Sequence, residues 1–191
     1  MKFFKKYSYE ITKLFIYQIG MTIFGLILGM ASIMSRNGMK NSFTLLVGVF
    51  SACFYLYLVY AVVWDMGAKD KFRIEAGKKA RDAWLGFKFM IFAQIPNILV
   101  VLTMWCGTLA HYANEGIGNM LFNIAQPIAI FTQGMYLGII MQFFTKNFMV
   151  LNSTLYTLAI IPAVLASSLG YYFGLKDIRF LVSTYNQKNN T

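Results

Sequence analysis

The sequence predicts an all-α polytopic bundle of membrane-crossing helices, and two observations carry that prediction. The 191 residues hold five long apolar runs, and only 13% of the chain is charged, against about 25% in a soluble domain. Mean hydropathy is +0.57. Runs above about 18 apolar residues have no use in a small soluble core, because bilayer thickness is what demands that length. The runs are continuous and do not alternate, which selects helices over barrel strands. No linker, repeat or low-complexity stretch divides the chain, so residues 1–191 are expected to form a single membrane domain.

The first run covers residues 14–34 and follows a basic arm, MKFFKKYSYEITK. It exceeds the 7 to 15 apolar residues of a cleavable signal peptide and lacks a small-x-small site, so it is expected to remain as the first crossing. The second run is 43–63, reached through the polar turn SRNGMKNS. A charged loop over 65–86 leads to the third run, 87–109. The fourth is 122–145 and the fifth 155–175. Each crosses about 30 Å as a helix at about 1.5 Å per residue.

Orientation comes from Lys and Arg. The N-terminal arm has Lys2, Lys5, Lys6 and Lys13, residues 65–88 carry seven more, and residues 110–121 carry none. This predicts a multi-pass protein of the cell membrane with the N-terminus and the charged loop in the cytoplasm. Five crossings would divide the 17 cations as 12 inside and 5 outside, while four crossings plus a re-entrant segment give 14 and 3. Apolar length favours about five transmembrane helices, and four crossings with a re-entrant fourth run is the alternative. The net charge of +10 fits anionic lipid head groups, since no soluble basic domain is present to hold nucleic acid.

The stretch WDMGAKDKFRIEAGKKARDAW, residues 64–84, concentrates charge in an otherwise apolar chain. Phe72, Ala76, Ala80, Ala83, Trp84 and Phe87 recur at three- and four-residue steps, which predicts a cytoplasmic amphipathic helix over 70–84 with Asp70 as its N-cap. Glu75 with Lys79 and Lys78 with Asp82 fall at i,i+4. A solvated loop obeying the charge rule is the competing reading. Arg73, Lys78, Lys79 and Arg81 form the expected cytoplasmic interaction surface for a partner.

The loop WDMGAKDKFRIEAGK, the proline-bearing QIPN and the late GYYFGLKDI resemble uncharacterised small multi-pass membrane proteins of low-GC Gram-positive bacteria. That resemblance implies no activity and no site residues.

Chemistry is sparse. All seven carboxylates lie outside the apolar runs, which argues against a carboxylate-driven pump. No GxSxG elbow, P-loop or Ser–His–Asp set can be assembled around the single His111, so no catalytic residue and no enzyme activity are expected. Cys53 and Cys106 sit in apolar runs and read as small hydrophobes, and neither a metal nor a cofactor is expected. All three prolines, Pro96, Pro127 and Pro162, fall in apolar runs and are expected to break helices. Amides accompany two of them, so Gln94, Asn97 and Gln126 are the candidate ligand-binding residues, the competing reading being kinks whose polar groups satisfy each other. Glycines four apart in GLILG, GMYLG and GYYFG predict close helix packing, within the chain or across a homodimer. The expected function is a non-enzymatic, transport-associated or interaction subunit with a membrane protein partner. The alternatives are a structural membrane protein without ligand, or the substrate-capture subunit of an ATP-driven importer.

Overall fold

The computed structural model describes residues 2–35, 42–143 and 149–178, and all regular structure among them is helical. The elements are α1 Lys2–Ser35, α2 Ser42–Glu75, α3 Leu85–Ala93, α4 Ile95–Ala113, α5 Glu115–Thr132, a 3-10 turn Gly134–Tyr136, α6 Leu137–Phe143, α7 Met149–Leu158 and α8 Ile160–Leu175. Four stretches, Tyr7–Met34, Ser42–Glu75, Ile95–Ala113 and Met149–Leu175, are long and apolar enough to cross a membrane. A fifth, Glu115–Thr132 with Gly134–Phe143, is bent by 83°. The outer faces are greasy: Ile16, Ile23, Ile27 and Met30 of α1 and Leu46 and Phe50 of α2 are exposed. In water such a surface would aggregate, whereas lipid matches it. The expected all-α membrane bundle is what forms.

Backbone-to-backbone packing sets the arrangement. α2 and α8 run in the same direction, with Gly170 against Tyr60 and Gly174 against Trp64 and Gly67. A Cβ on Gly67 would stand 2.5 Å from the Tyr171 carbonyl oxygen, so these positions admit only glycine at this separation. The Trp64 indole N–H then donates to the Ile178 carbonyl at 2.9 Å. The end of α8 therefore lies at the same end of the bundle as the charged segment after α2, hereafter the charged end. α4 and α5 form a tight antiparallel hairpin with Gly107 on Phe122 and Gly118 on His111. α7 lies antiparallel to α4 through Trp105 to Thr157 at 3.1 Å and Thr108 to Ser153 at 3.0 Å.

The fate of the fourth run follows from its contacts along α1, which leads away from the charged end. Gln18 and Thr22 meet Thr132, Gly25 meets Gly134 and Met135, and Gly29 meets Leu137. Gly138 then packs on Thr44 and Gly48 near the start of α2. The chain thus enters through α5, breaks at Gln133 and returns toward the end it came from. This path matches the re-entrant alternative, with four stretches long and apolar enough to cross a membrane around it. The GLILG, GMYLG and GYYFG glycines are all spent on these contacts within the chain.

Several expectations are corrected. No amphipathic helix forms over 70–84. Helix α2 runs on to Glu75 and stops in a Schellman motif: Gly77 has φ +69°, Gly77 N–H donates to Ile74, and Lys78 N–H donates to Arg73. Residues 76–84 are turns, so the expected face is scattered, with Phe72 67% and Trp84 70% exposed. The two i,i+4 pairs are lost with the helix, because Lys79 reaches Asp70 and Asp82 pairs with Lys88. Asp70 caps nothing and lies within α2. The bare loop expected over 110–121 shrinks to Asn114, whose side chain caps α5 by accepting from Ile117 N–H at 3.2 Å. The polar turn SRNGMKNS falls largely in 36–41, and that part lies outside the described residues, as do Lys188 and NQKNNT.

Candidate functional site: a buried polar layer and a charged crevice

Two helix breaks bring polar side chains together inside the apolar bundle. The α3/α4 break falls at Gln94, with Pro96 in the first turn of α4. Asn97 there donates its amide to Gln94 Oε1, and Gln94 Nε2 donates to the Tyr55 hydroxyl at 3.3 Å. The break between α5 and the 3-10 turn falls at Gln133. The exposed carbonyl end of α5 is capped from α1, with the Gln18 amide at 3.4 Å and the Thr22 hydroxyl at 3.1 Å both donating to Thr132 O. Continuing the α4/α5 register from Gly107–Phe122 brings Thr132 level with Asn97. The rings of Tyr55 and Tyr136 meet edge to face at 6.1 Å and join the two groups into one layer.

That layer is under-satisfied. Gln18, Gln94, Asn97 and Gln133 are each at most 2% exposed. Gln18 Oε1, Asn97 Oδ1, the Tyr136 hydroxyl and both polar atoms of the Gln133 amide have no hydrogen-bond partner among the described residues. Each orphaned group costs about 1–3 kcal/mol relative to a partnered one, so such clustering calls for a reason.

Of the expected ligand residues, Gln94 and Asn97 come together. Gln126 does not join them: it is half-buried on α5, two turns before the break, and its side chain makes no hydrogen bond among the described residues. Gln133 and Gln18 take its place. Pro127 also fails to break its helix, since α5 runs through it to Thr132. A proline removes one hydrogen bond, which the remaining turns of a long helix absorb. Pro96 and Pro162 do sit beside breaks, at Gln94 and Ala159. The missed signal was Gln133–Gly134, an amide followed by a glycine whose Cβ would overlap Leu26 at 2.5 Å.

The second polar centre is a crevice of about 180 Å³ at the charged end, between the start of α1, the end of α2 and the 76–84 turns. Its floor is Asp70, buried although it belongs to the charged segment. The Lys79 ammonium reaches it at 2.5 Å and the Tyr171 hydroxyl donates to it at 2.8 Å, while Arg73 stands 3.6 Å away. Lys79 also lies 5.1 Å over the Tyr7 ring, where α1 is kinked (φ −120°, ψ 21°). Of the expected interaction surface, Arg73, Lys78 and Arg81 are exposed, but Lys79 is turned inward to Asp70. Nearby, the Lys88 ammonium donates to Asp82 at 2.6 Å and holds its carboxyl below the ordinary 3.8.

No group of three His, Cys, Asp or Glu side chains converges among the described residues. No protein-family model, curated protein or solved structure matches the chain.

Proposed function

We propose that this protein is a non-enzymatic, multi-pass component of the cell membrane that handles a small polar solute at the Gln94–Gln133 layer. The observation that carries the reading is Gln133: an amide at 1% exposure, at the break of a re-entrant helix, with neither polar atom partnered among the described residues. Helix breaks with buried amides are how many transport proteins build a binding site deep in the bilayer. The layer contains amides, hydroxyls and tyrosine rings and no formal charge, so its solute is neutral. A charged solute would be left without a counter-charge in low dielectric. The cation-rich end faces the cytoplasm under the charge rule, and exposed Lys78 and Arg81, which do not line the crevice, are available there to a partner subunit.

The test is a thermal-shift screen of the purified protein against neutral polyols and amides, with Gln133→Leu and Gln94→Leu alongside. A working site predicts that one solute stabilises the wild type, and that Gln133→Leu abolishes this shift while raising the unliganded melting temperature. The rise follows from removing an orphaned amide. A Gln133→Leu variant that is destabilised, in a protein no solute stabilises, would mean that the amides serve packing alone.

A further inference from the structure

The charged crevice has a different chemistry from the polar layer and is independent of it. It sits just beyond Leu14, where the apolar run of α1 begins, and just beyond Val63, where that of α2 ends. This is head-group depth, with Tyr7 and Tyr9 in the position interfacial aromatics favour. At about 180 Å³ it is below the roughly 300 Å³ at which drug-sized pockets begin, and it takes a head group.

Its charges are mixed. Asp65 is already held by Lys69 at 2.5 Å, and Asp70 by Lys79 and Tyr171. That leaves three groups on the walls for a ligand. Glu10 makes no ion pair among the described residues, Lys13 points over the Tyr17 ring at 5.7 Å, and Arg73 is 65% exposed with only a 3.6 Å contact to Asp70. A purely anionic head group would use the two cations and be repelled by Glu10. A head group carrying both a phosphate and a primary ammonium uses all three. Arg73 and Lys13 suit the phosphate, and the carboxylate of Glu10 accepts the ammonium N–H. Exposed Ile16 and Ile23, continuing down α1 from Lys13, offer the acyl chains an apolar track.

We propose that this crevice binds the phosphate-plus-ammonium head group of an aminophospholipid from the surrounding leaflet. A quaternary trimethylammonium has no N–H to donate, so the site distinguishes phosphatidylethanolamine from phosphatidylcholine.

The test uses the full chain in detergent, titrated with short-chain phosphatidylethanolamine, phosphatidylcholine, phosphatidylglycerol and soluble phosphoethanolamine. Bound lipid is counted by native mass spectrometry. Phosphatidylethanolamine should bind about tenfold more tightly than the other two lipids. Glu10→Gln should bring it down to the phosphatidylcholine level, and Lys13→Gln with Arg73→Gln should lose it. All three positions are on the crevice walls, and melting temperatures without lipid verify that the variants fold. Preference for phosphatidylglycerol would make the crevice a plain basic patch and overturn the proposal. So would equal binding of ethanolamine and choline lipids, or soluble phosphoethanolamine binding as tightly as the lipid.

Discussion

Replacing Asp70 with Ala removes the floor of the crevice and tests how the 76–84 turns are held to the bundle. In the wild type the carboxylate, with its side chain 7% exposed, serves Lys79 at 2.5 Å, Tyr171 at 2.8 Å and Arg73 at 3.6 Å. Breaking a buried ion pair by deleting one partner costs about 3–5 kcal/mol, because the other charge is left without compensation. Here Lys79 sits in the turns after Gly77 and is 13% exposed, so it can swing toward water and recover part of that. The Tyr171 hydroxyl cannot follow, since its ring is packed between α2 and α3. The expected loss is about 2–3 kcal/mol. At about 2–4 °C per kcal/mol for a chain of this size, the detergent-solubilised protein should melt about 4–12 °C lower. Combining Asp70→Ala with Lys79→Met should cost less than the sum of the two changes, with a coupling of at least about 1 kcal/mol. A fall of under about 2 °C, or additive single and double variants, would refute the claim that this pair anchors the turns.

Other expectations follow from the same geometry. Gly174→Val should destabilise by at least about 2 kcal/mol, because its side chain would run into the Trp64 carbonyl, and a melt no lower than wild type would contradict the α2/α8 contact. For topology, single cysteines placed at 75 and 178 should both be protected from an impermeant reagent in intact cells, and one at 115 should label; opposite accessibility of 75 and 178 would rule out the four-crossing path. The background needs Cys53 and Cys106 replaced, since both are exposed. Asp82 supplies a pH signature. Its carboxyl is held below 3.8 in the folded protein, so the stability from Lys88 is complete above that value and is lost as the pH falls through the lowered one. The difference in melting temperature between wild type and Asp82→Asn should therefore shrink on acidification, and a constant difference would assign it to another cause.

The sequence by itself determined the class of the protein. Apolar runs of about 20 residues leave the backbone no choice but helix in a solvent without hydrogen-bond partners, and that constraint is local. It also held the stop signal of α2, Gly77 after Ile74–Glu75–Ala76, although the three- and four-residue spacing beyond it mimicked a further helix. The pairing of Gln94 with Asn97 was legible because they lie one turn apart beside Pro96.

Tertiary structure decided the rest. Gln133 and Gln18 are 115 residues apart in number, and nothing in either neighbourhood announces that Thr132 will be capped from α1. Asp70 reads as a solvated charge until Gly67 and Gly174 bring α8 close enough for Tyr171 to cover it. Whether the fourth run crosses or turns back was left open by the sequence, since apolar length favoured crossing and the division of Lys and Arg favoured turning back. The glycine contacts with α1 and α2 decide it, because close backbone approach is a property of pairs of helices and not of any one of them.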